Sequence, residues 1–222
     1  MRIAAVVAAV LLTAACSSQQ ATVRSTQNES PAATAGAADP SGAPSGGTPV
    51  AQVIAWVRAA ATAVDVSRYQ SQTGTDGTVT RLPSDIAFVS PSGKINCVTE
   101  LRYGDTDLEC LANLKNPPPR PPNVADVAWN GDWIEYQGGG ATVGSFHGDP
   151  GPFALGRGAR LPYGSLITFR GYSCRMDEAG LFCVNPEAQS GVKISDSGLV
   201  PFGCLQQNPD ATKNGVGQMY RC

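Results

Sequence analysis

Hydrophobic side chains recur with a helical period near residue 50. They lie three or four positions apart, on one face of an α-helix. The positions are Val50, Val53, Ile54, Val57, Ala61 and Val64. Thr48 and Pro49 precede them, as an N-cap residue and a first-turn proline would. The pattern predicts one amphipathic helix that ends near Val64. We expect its apolar face to pack on the rest of the domain; a partner or membrane surface is the alternative.

Beyond residue 65 the helical period is absent, and short apolar runs alternate with Gly-, Pro- and Asp-containing turns. The runs predict strands at 85–89, 95–101, 108–114, 133–137, 141–146, 166–176 and 181–185. The fold class is therefore mainly β, a single antiparallel domain built as a sandwich or an open barrel, with one N-terminal helix. We place this domain at residues 49–222, a length that buries about 70% of the surface of the unfolded chain.

The first fifteen residues have the pattern of an export signal. Arg2 is followed by ten residues without a polar side chain, too few to span a bilayer but typical of a signal-peptide core. Small residues then lead to Cys16, the order found in a bacterial lipobox, although Thr13 stands where Leu or Val is commoner. We expect cleavage after residue 15 and lipid attachment at Cys16. Two or more acyl chains would anchor the protein stably.

Residues 16–48 contain mainly Ser, Ala, Gly, Gln, Thr and Pro. Such a segment buries too little apolar surface to order itself, so we expect a disordered tether. Its reach as a flexible coil is about 30 Å. The tether would hold the domain clear of the membrane surface on its extracytoplasmic side.

Seven cysteines divide into Cys16 and six others, an even set that predicts three disulfides in an exported chain. A hairpin joining Cys97 to Cys110 would turn at Tyr103-Gly104. One joining Cys174 to Cys183 would turn at Glu178-Ala179. Directly opposed strand residues lie within disulfide range. Cys204 and Cys222 are then left for each other. A zinc site is disfavoured, because the chain has one histidine and no Cys-x2-Cys spacing.

Composition and charge exclude several classes. The formal charge is −2 and only 15% of the residues are charged, so no basic surface is available for nucleic acid. Glycine and proline are numerous, at 25 and 17 residues, but follow no collagen period. No glycine pattern typical of dinucleotide or phosphate binding is present, and we expect no cofactor.

The one histidine, His147, has Ser145 and Asp149 two positions to either side. The three would share a face of an extended segment, which suggests a Ser-His-Asp triad. Such local alternation rarely gives triad geometry. The Asp149-Pro150-Gly151 sequence is also typical of a turn. We therefore expect His147 to be a strand-end or surface residue and assign no catalytic residue.

Acidic pairs offer a second candidate chemistry. Asp132 with Glu135, or Asp177 with Glu178, could serve a glycosidase, but turn carboxylates are usually solvated. Asp105, Asp107 and Glu109 alternate along a predicted strand. We interpret this alternation as a solvated sheet edge, not as a metal site.

Two further segments are distinctive. The Pro117–Pro122 stretch predicts a polyproline II strap across the domain, with peptide recognition as the alternative. A set of aromatic residues in the middle third could line a carbohydrate or lipid groove, but core packing is the favoured interpretation. The set comprises Trp129, Trp133, Tyr136, Phe146, Phe153 and Tyr163.

The chain resembles a family of exported mycobacterial proteins of unknown function, many of them lipoproteins by sequence. The resemblance runs from about residue 50 to the end. It rests on Val53-Ile54-Ala55-Trp56-Val57-Arg58, on 88–97 with its Ser-Pro-Ser-Gly-x-Ile-x-Cys motif, and on 116–122, 147–153, 161–165, 182–185 and 200–204. The motif also resembles a wider actinobacterial domain of unknown function. The resemblance implies an envelope location and brings no site residue with it.

Three functions remain open. The expected one is a lipid-anchored envelope protein, held to the cell membrane through Cys16, that acts as a non-enzymatic binding or interaction module. The alternative is an extracytoplasmic carrier or sensor of a lipid or glycan. A cell-wall hydrolase is a third candidate.

Overall fold

The structure is a computed structural model that describes residues 42–59, 62–100, 107–147 and 150–222. Its α-helix, α1, spans Val50–Ala59 and is followed by short strands and single 3-10 turns. The strands within the described ranges are β1 (Thr62–Ala63), β2 (Ser71–Thr73), β3 (Val79–Arg81), β4 (Ala87–Val89), β5 (Ile95–Glu100), β6 (Asp107–Ala112), β7 (Trp129–Tyr136), β8 (Gly140–Phe146), β9 (Ala159–Arg160), β10 (Ser165–Phe169), β11 (Tyr172–Asp177), β12 (Gly180–Asn185), β13 (Ser190–Ser195), β14 (Gly198–Gly203), β15 (Gln206–Gln207) and β16 (Gln218–Arg221).

Two open sheets and one small ribbon organise these strands. The six-stranded sheet has the order β1-β10-β11-β12-β13-β14, and the eight-stranded sheet has the order β15-β16-β8-β7-β6-β5-β4-β9. Strands β2 and β3 form the ribbon. Pairing is antiparallel except for β1 with β10 and β4 with β9. The mainly β class is thus confirmed, while the open sheets exclude a closed barrel.

The main core lies between the two large sheets. Phe88, Ile134 and Val143 from the eight-stranded sheet join Ile167, Met176 and Ile194 from the six-stranded sheet in one buried cluster. The arrangement is sandwich-like, with alternate side chains of each strand facing inward.

Three disulfides join the predicted partners. Cys97 lies directly opposite Cys110 across β5 and β6, and Cys174 lies opposite Cys183 across β11 and β12. Cys204 and Cys222 form the third pair. The turn predicted at Glu178-Ala179 is present between Asp177 and Gly180. The turn at Tyr103-Gly104 lies outside the described residues.

Helix α1 covers the outer face of the six-stranded sheet. Val53 and Val57 are fully buried against Phe182 and Phe202, as the amphipathic pattern predicts. The predicted C-terminal end is wrong, because the helix ends at Ala59 and Val64 instead packs against the main core.

The chain just before α1 contacts the packed domain. Ala43 is 3% exposed and belongs to the cluster under α1. Ala43 and Pro44, which lie in the segment predicted to be a tether, are thus buried. The predicted signal peptide, Cys16 and the rest of the tether lie outside the described residues.

One predicted strand, 166–176, proves to be two. Arg170 and Gly171 both have positive φ, 42° and 83°, and form the tight turn between β10 and β11. Arginine is rare in this conformation. Here its guanidinium donates to the Ser84 carbonyl and pairs with Asp85 at 3.1 Å. A tertiary contact thus stabilises a turn that local sequence does not indicate.

The proline segment crosses the domain as predicted. It lies in the long connection from β6 to β7, and its buried residues are Pro118, Pro121 and Val124. Pro118 and Pro121 are three residues apart, the period of a polyproline II helix, whereas Val124 follows a turn in which its amide donates to the Pro121 carbonyl at 3.1 Å. Pro118 lies so close to Gly144 and Gly217 that a Cβ at either glycine would approach it to 2.9 or 2.5 Å.

Candidate functional site

A row of side chains crosses the outer face of the eight-stranded sheet. Val98 of β5 lies opposite Glu109 of β6, Glu109 opposite Glu135 of β7, and Glu135 opposite Thr142 of β8. Paired residues of neighbouring strands point to the same face. Like charges directly opposite each other destabilise a sheet, so the two adjacent glutamates mark this face as a candidate site.

Part of the same face is covered by a small apolar cluster. Leu82, Ala87, Val98, Trp133 and Phe153 are buried together there. Trp133 meets Phe153 edge to face, with ring centroids 5.0 Å apart. This cluster fixes the segment 150–155 above the sheet.

The segment 150–157 is also clamped to the ribbon. Thr73 and Arg157 exchange backbone hydrogen bonds of 2.8 and 3.0 Å. Gly156 has a φ of 111°, and a Cβ there would lie 2.1 Å from the Thr73 carbonyl oxygen. Only glycine allows this approach.

The buried Gln72 side chain also attaches the segment 150–157 to the ribbon. Its side chain is 1% exposed, and its Nε2 donates to the carbonyls of Pro152 and Gly156 at 3.1 Å each. Its buried Oε1 has no hydrogen-bond partner in the described part of the chain. The two donated bonds thus hold the segment 150–157 against the ribbon at the cost of one unpaired acceptor.

An open cleft lies between the ribbon, the segment 150–155 and the sheet face. Its volume is about 960 Å³, at the upper end of the range of about 300–1,000 Å³ for small-molecule sites. The residues that line it are Gln72, Thr80, Arg81, Leu82, Pro83, Ser84, Asp85, Val98, Thr99, Glu100, Glu109, His147, Pro150, Gly151, Pro152, Ala154 and Leu155.

His147 lies at this cleft directly after the end of β8. Its ring stacks on Trp133 with centroids 3.4 Å apart, and its Nε2 lies 3.4 Å from Oε1 of Glu135. The same carboxylate accepts from Trp133 Nε1 at 3.1 Å. Side-chain exposures of 25% and 21% place His147 and Glu135 at the boundary of solvent. A carboxylate and an aromatic ring together orient the imidazole.

Both signs of charge face the cleft. Asp85 is compensated by Arg170 and accepts from Thr99 Oγ1 at 2.9 Å. Arg81 is exposed and makes no ion pair within the described ranges. Glu100 and Glu109 line it from the sheet face, on β5 and β6. The cleft therefore presents a guanidinium on one wall and carboxylates on its floor.

The Ser145-His147-Asp149 triad, which the sequence suggests but turn chemistry disfavours, is not assembled in the described part of the chain. His147 makes its side-chain hydrogen bond to Glu135 and none to Ser145, while Asp149 lies outside the described residues. The expectation of a strand-end position for His147 agrees with the structure.

The acidic residues that the sequence analysis considered lie in different parts of the structure. Asp132 accepts from the Leu114 amide, and Asp177 pairs with Arg175 at 3.6 Å near the hairpin turn. Glu109 does not lie on a sheet edge, because β6 pairs with β5 on one side and β7 on the other. The solvated-edge interpretation is therefore wrong for Glu109.

The aromatic set does not form one groove. Trp133, Tyr136 and Phe153 are buried, as core packing predicts, whereas Phe146 and Tyr163 are exposed. Trp133 contacts the candidate site indirectly, because its ring stacks on that of His147.

A smaller pocket of about 150 Å³ lies at the junction of the two sheets. Lys94 and Lys115 both pair with Asp196, at 2.8 and 3.2 Å. Hydrogen bonds from the two lysines hold the pKa of Asp196 below its ordinary value, and Asp196 raises the pKa of Lys94. These groups satisfy each other, so the pocket is mainly structural.

The described residues contain no group of three or more His, Cys, Asp or Glu side chains placed to hold a metal ion. Within the same ranges, no helix combines the length and hydropathy needed to cross a bilayer.

Sequence reasoning missed Gln72, Arg81 and the pairing of Glu109 with Glu135. These residues come from separate strands, and each is unremarkable in its local sequence. The register of β6 and β7 is what brings the two glutamates together. The comparisons found no matching family model, curated protein or solved structure, so the candidate site rests on its own geometry.

Proposed function

We propose that this protein is a lipid-anchored component of the cell envelope that binds a ligand without transforming it. Residues 1–16 support the anchor and the extracytoplasmic location, as does the resemblance to exported mycobacterial proteins. The domain predicted for residues 49–222 would carry the binding site.

The cleft above the eight-stranded sheet is the observation that supports binding. Its walls are held in place by Gln72, by the Thr73–Arg157 backbone bonds and by the cluster around Trp133. A site built on fixed elements loses little entropy when a ligand enters. Its charged lining disfavours a lipid chain, which would have to desolvate carboxylates and a guanidinium.

Blocking the cleft tests this proposal. Leu155 lines it and is 41% exposed, so Leu155→Trp should fill space without disturbing the core. Val79 is 63% exposed and does not line the cleft, which makes Val79→Trp the matched control. We expect a ligand to co-purify with the wild type and the control from the native host, and to be lost from Leu155→Trp, as measured by native mass spectrometry.

Two results would contradict the proposal. One is the absence of any co-purifying ligand from the wild type. The other is equal retention by Leu155→Trp, which would place the ligand elsewhere.

The anchor has its own test. Cys16→Ala removes the thiol that accepts the diacylglyceryl group, so the protein should leave the membrane fraction or remain as an unprocessed precursor. Fractionation followed by immunoblotting measures both. Unchanged mobility and membrane association would refute the lipoprotein assignment.

The oriented imidazole favours a second candidate, a hydrolase. A histidine positioned by a carboxylate is the arrangement of a general base, and His147 with Glu135 provides it at the cleft. Turnover of nitrophenyl esters or glycosides by the wild type, abolished in His147→Ala, would support this function. Equal rates for both proteins would argue against it.

A further inference from the structure

The charge distribution of the cleft identifies the chemistry of its ligand. Arg81 faces it from the ribbon, and Glu100 and Glu109 face it from the sheet. A ligand of either charge would be attracted by the side chains of one wall and repelled by those of the other. A neutral ligand whose groups both donate and accept hydrogen bonds can use the two walls together.

Hydroxyl groups have this double capacity. They can donate to the glutamates even where these already have a protein partner, because a carboxylate accepts about four hydrogen bonds. They can also accept from the guanidinium of Arg81, which lines the cleft.

The apolar part of the cleft fits the same class. Leu82, Val98 and Leu155 lie among the polar groups, and sugar rings present C–H faces between their hydroxyls. A cleft of about 960 Å³ also accommodates several sugar units at the upper end of the ordinary size range.

We propose that the cleft binds a neutral, polyhydroxylated glycan through Arg81 and Glu109. The inference rests on the proposed binding function and specifies its ligand class.

The test titrates a panel of uncharged oligosaccharides into the full chain carrying Cys16→Ser, which removes lipid attachment. The panel contains chitotetraose, maltotetraose, cellotetraose and arabinotetraose, and isothermal calorimetry measures binding. Tetralysine, tetragalacturonate and oleate serve as cationic, anionic and lipid probes. We expect at least one neutral oligosaccharide to bind and the three charged probes to bind more weakly.

Two variants test the charged side chains that line the cleft. Arg81→Ala and Glu109→Gln should each weaken oligosaccharide binding about tenfold or more, because each removes hydrogen bonds to a charged group. The matched controls are Arg58→Ala and Glu187→Gln, which change residues that do not line the cleft. Circular dichroism checks that every variant is folded, and if Glu109→Gln fails to fold, the exposed Arg81 still gives a result.

Salt dependence separates a neutral ligand from a charged one. Raising the salt from about 0.1 M to about 1 M shortens the Debye length from about 10 Å to about 3 Å. Affinity for a neutral glycan should change less than twofold.

The following results would overturn the glycan proposal. Failure of every neutral oligosaccharide to bind does so, as does binding that falls steeply with salt or that Arg81→Ala and Glu109→Gln leave unchanged. If a peptide or lipid instead co-purifies with the wild type and is lost from Leu155→Trp, the glycan assignment fails while the binding function stands.

Discussion

The Tyr136 hydroxyl lies in the space between the two sheets. It is 2.8 Å from Ser190 Oγ, which donates to the Gly138 carbonyl at 2.5 Å. The bond joins β7 of one sheet to β13 of the other. Burial raises the pKa of Tyr136 above its ordinary value, and its hydrogen bond with Ser190 opposes this only in part.

Replacing Tyr136 tests this network. Tyr136→Phe should lower the free energy of unfolding by about 1 kcal/mol at neutral pH, because one buried hydrogen bond is lost. Urea denaturation measures the change. Tyr163→Phe is the control, since Tyr163 is exposed and should leave stability unchanged.

The raised pKa of Tyr136 also predicts a pH dependence. Its contribution to stability is complete below the unfolded pKa of about 10 and is lost as the pH rises through the higher folded value. Wild-type stability should therefore fall above pH 10, and less steeply in Tyr136→Phe. Identical slopes for the two proteins would show that Tyr136 ionises freely in the folded state.

At the scale of elements, the proline strap depends on the glycines below it. A Cβ at Gly217 would lie 2.5 Å from Pro118 and 2.9 Å from the Val143 carbonyl oxygen. Gly139, in the loop before β8, has nothing within 4 Å of the same position. The two glycines therefore form a matched pair for substitution.

Gly217→Ala should lower the free energy of unfolding by about 1–3 kcal/mol, since overpacking forces the strap or β16 to move. Gly139→Ala should have little effect. Thermal and urea denaturation provide the comparison, and equal stability of the two variants would mean that the strap is not packed against β16.

The elements also show which parts of the fold local sequence patterns can predict. Helix α1, the two cysteine hairpins and the strap follow from periodicity, turn chemistry and proline geometry, all of which act over a few residues. The tight turn at Arg170-Gly171 does not follow from local sequence, because Asp85 and Ser84 stabilise it from a distant segment. Strands β13 and β14 were not predicted, since their Gly, Ser and Pro content is typical of turns; Pro201 is tolerated because β14 is at the edge of its sheet.

At the scale of the whole molecule, the three disulfides differ in accessibility. Cys97, Cys110, Cys174 and Cys183 are fully buried in the core between the sheets. Cys204 is half-buried and Cys222 is exposed. Cys204 follows β14 of the six-stranded sheet and Cys222 follows β16 of the eight-stranded sheet, so this bond ties the two layers together.

Mild reduction of the folded protein should open the Cys204–Cys222 bond first, because a thiolate must reach a sulfur to attack it. Alkylation followed by peptide mass spectrometry identifies the modified cysteines. Opening a loop of this length should lower the free energy of unfolding by about 3 kcal/mol. Simultaneous modification of all six cysteines would show that the layers separate as soon as reductant acts.

The amino-acid sequence by itself determined the β class, the amphipathic helix and the strap, and it favoured the observed cysteine partners. Each depends on neighbours along the chain, where spacing and turn residues constrain the backbone directly. Only the tertiary structure decided the binding cleft. Gln72, Arg81, Glu109 and His147 are separated along the chain and converge because strand register and the clamped segment 150–157 place them together. Convergence of this kind is a property of packing, which no local pattern records.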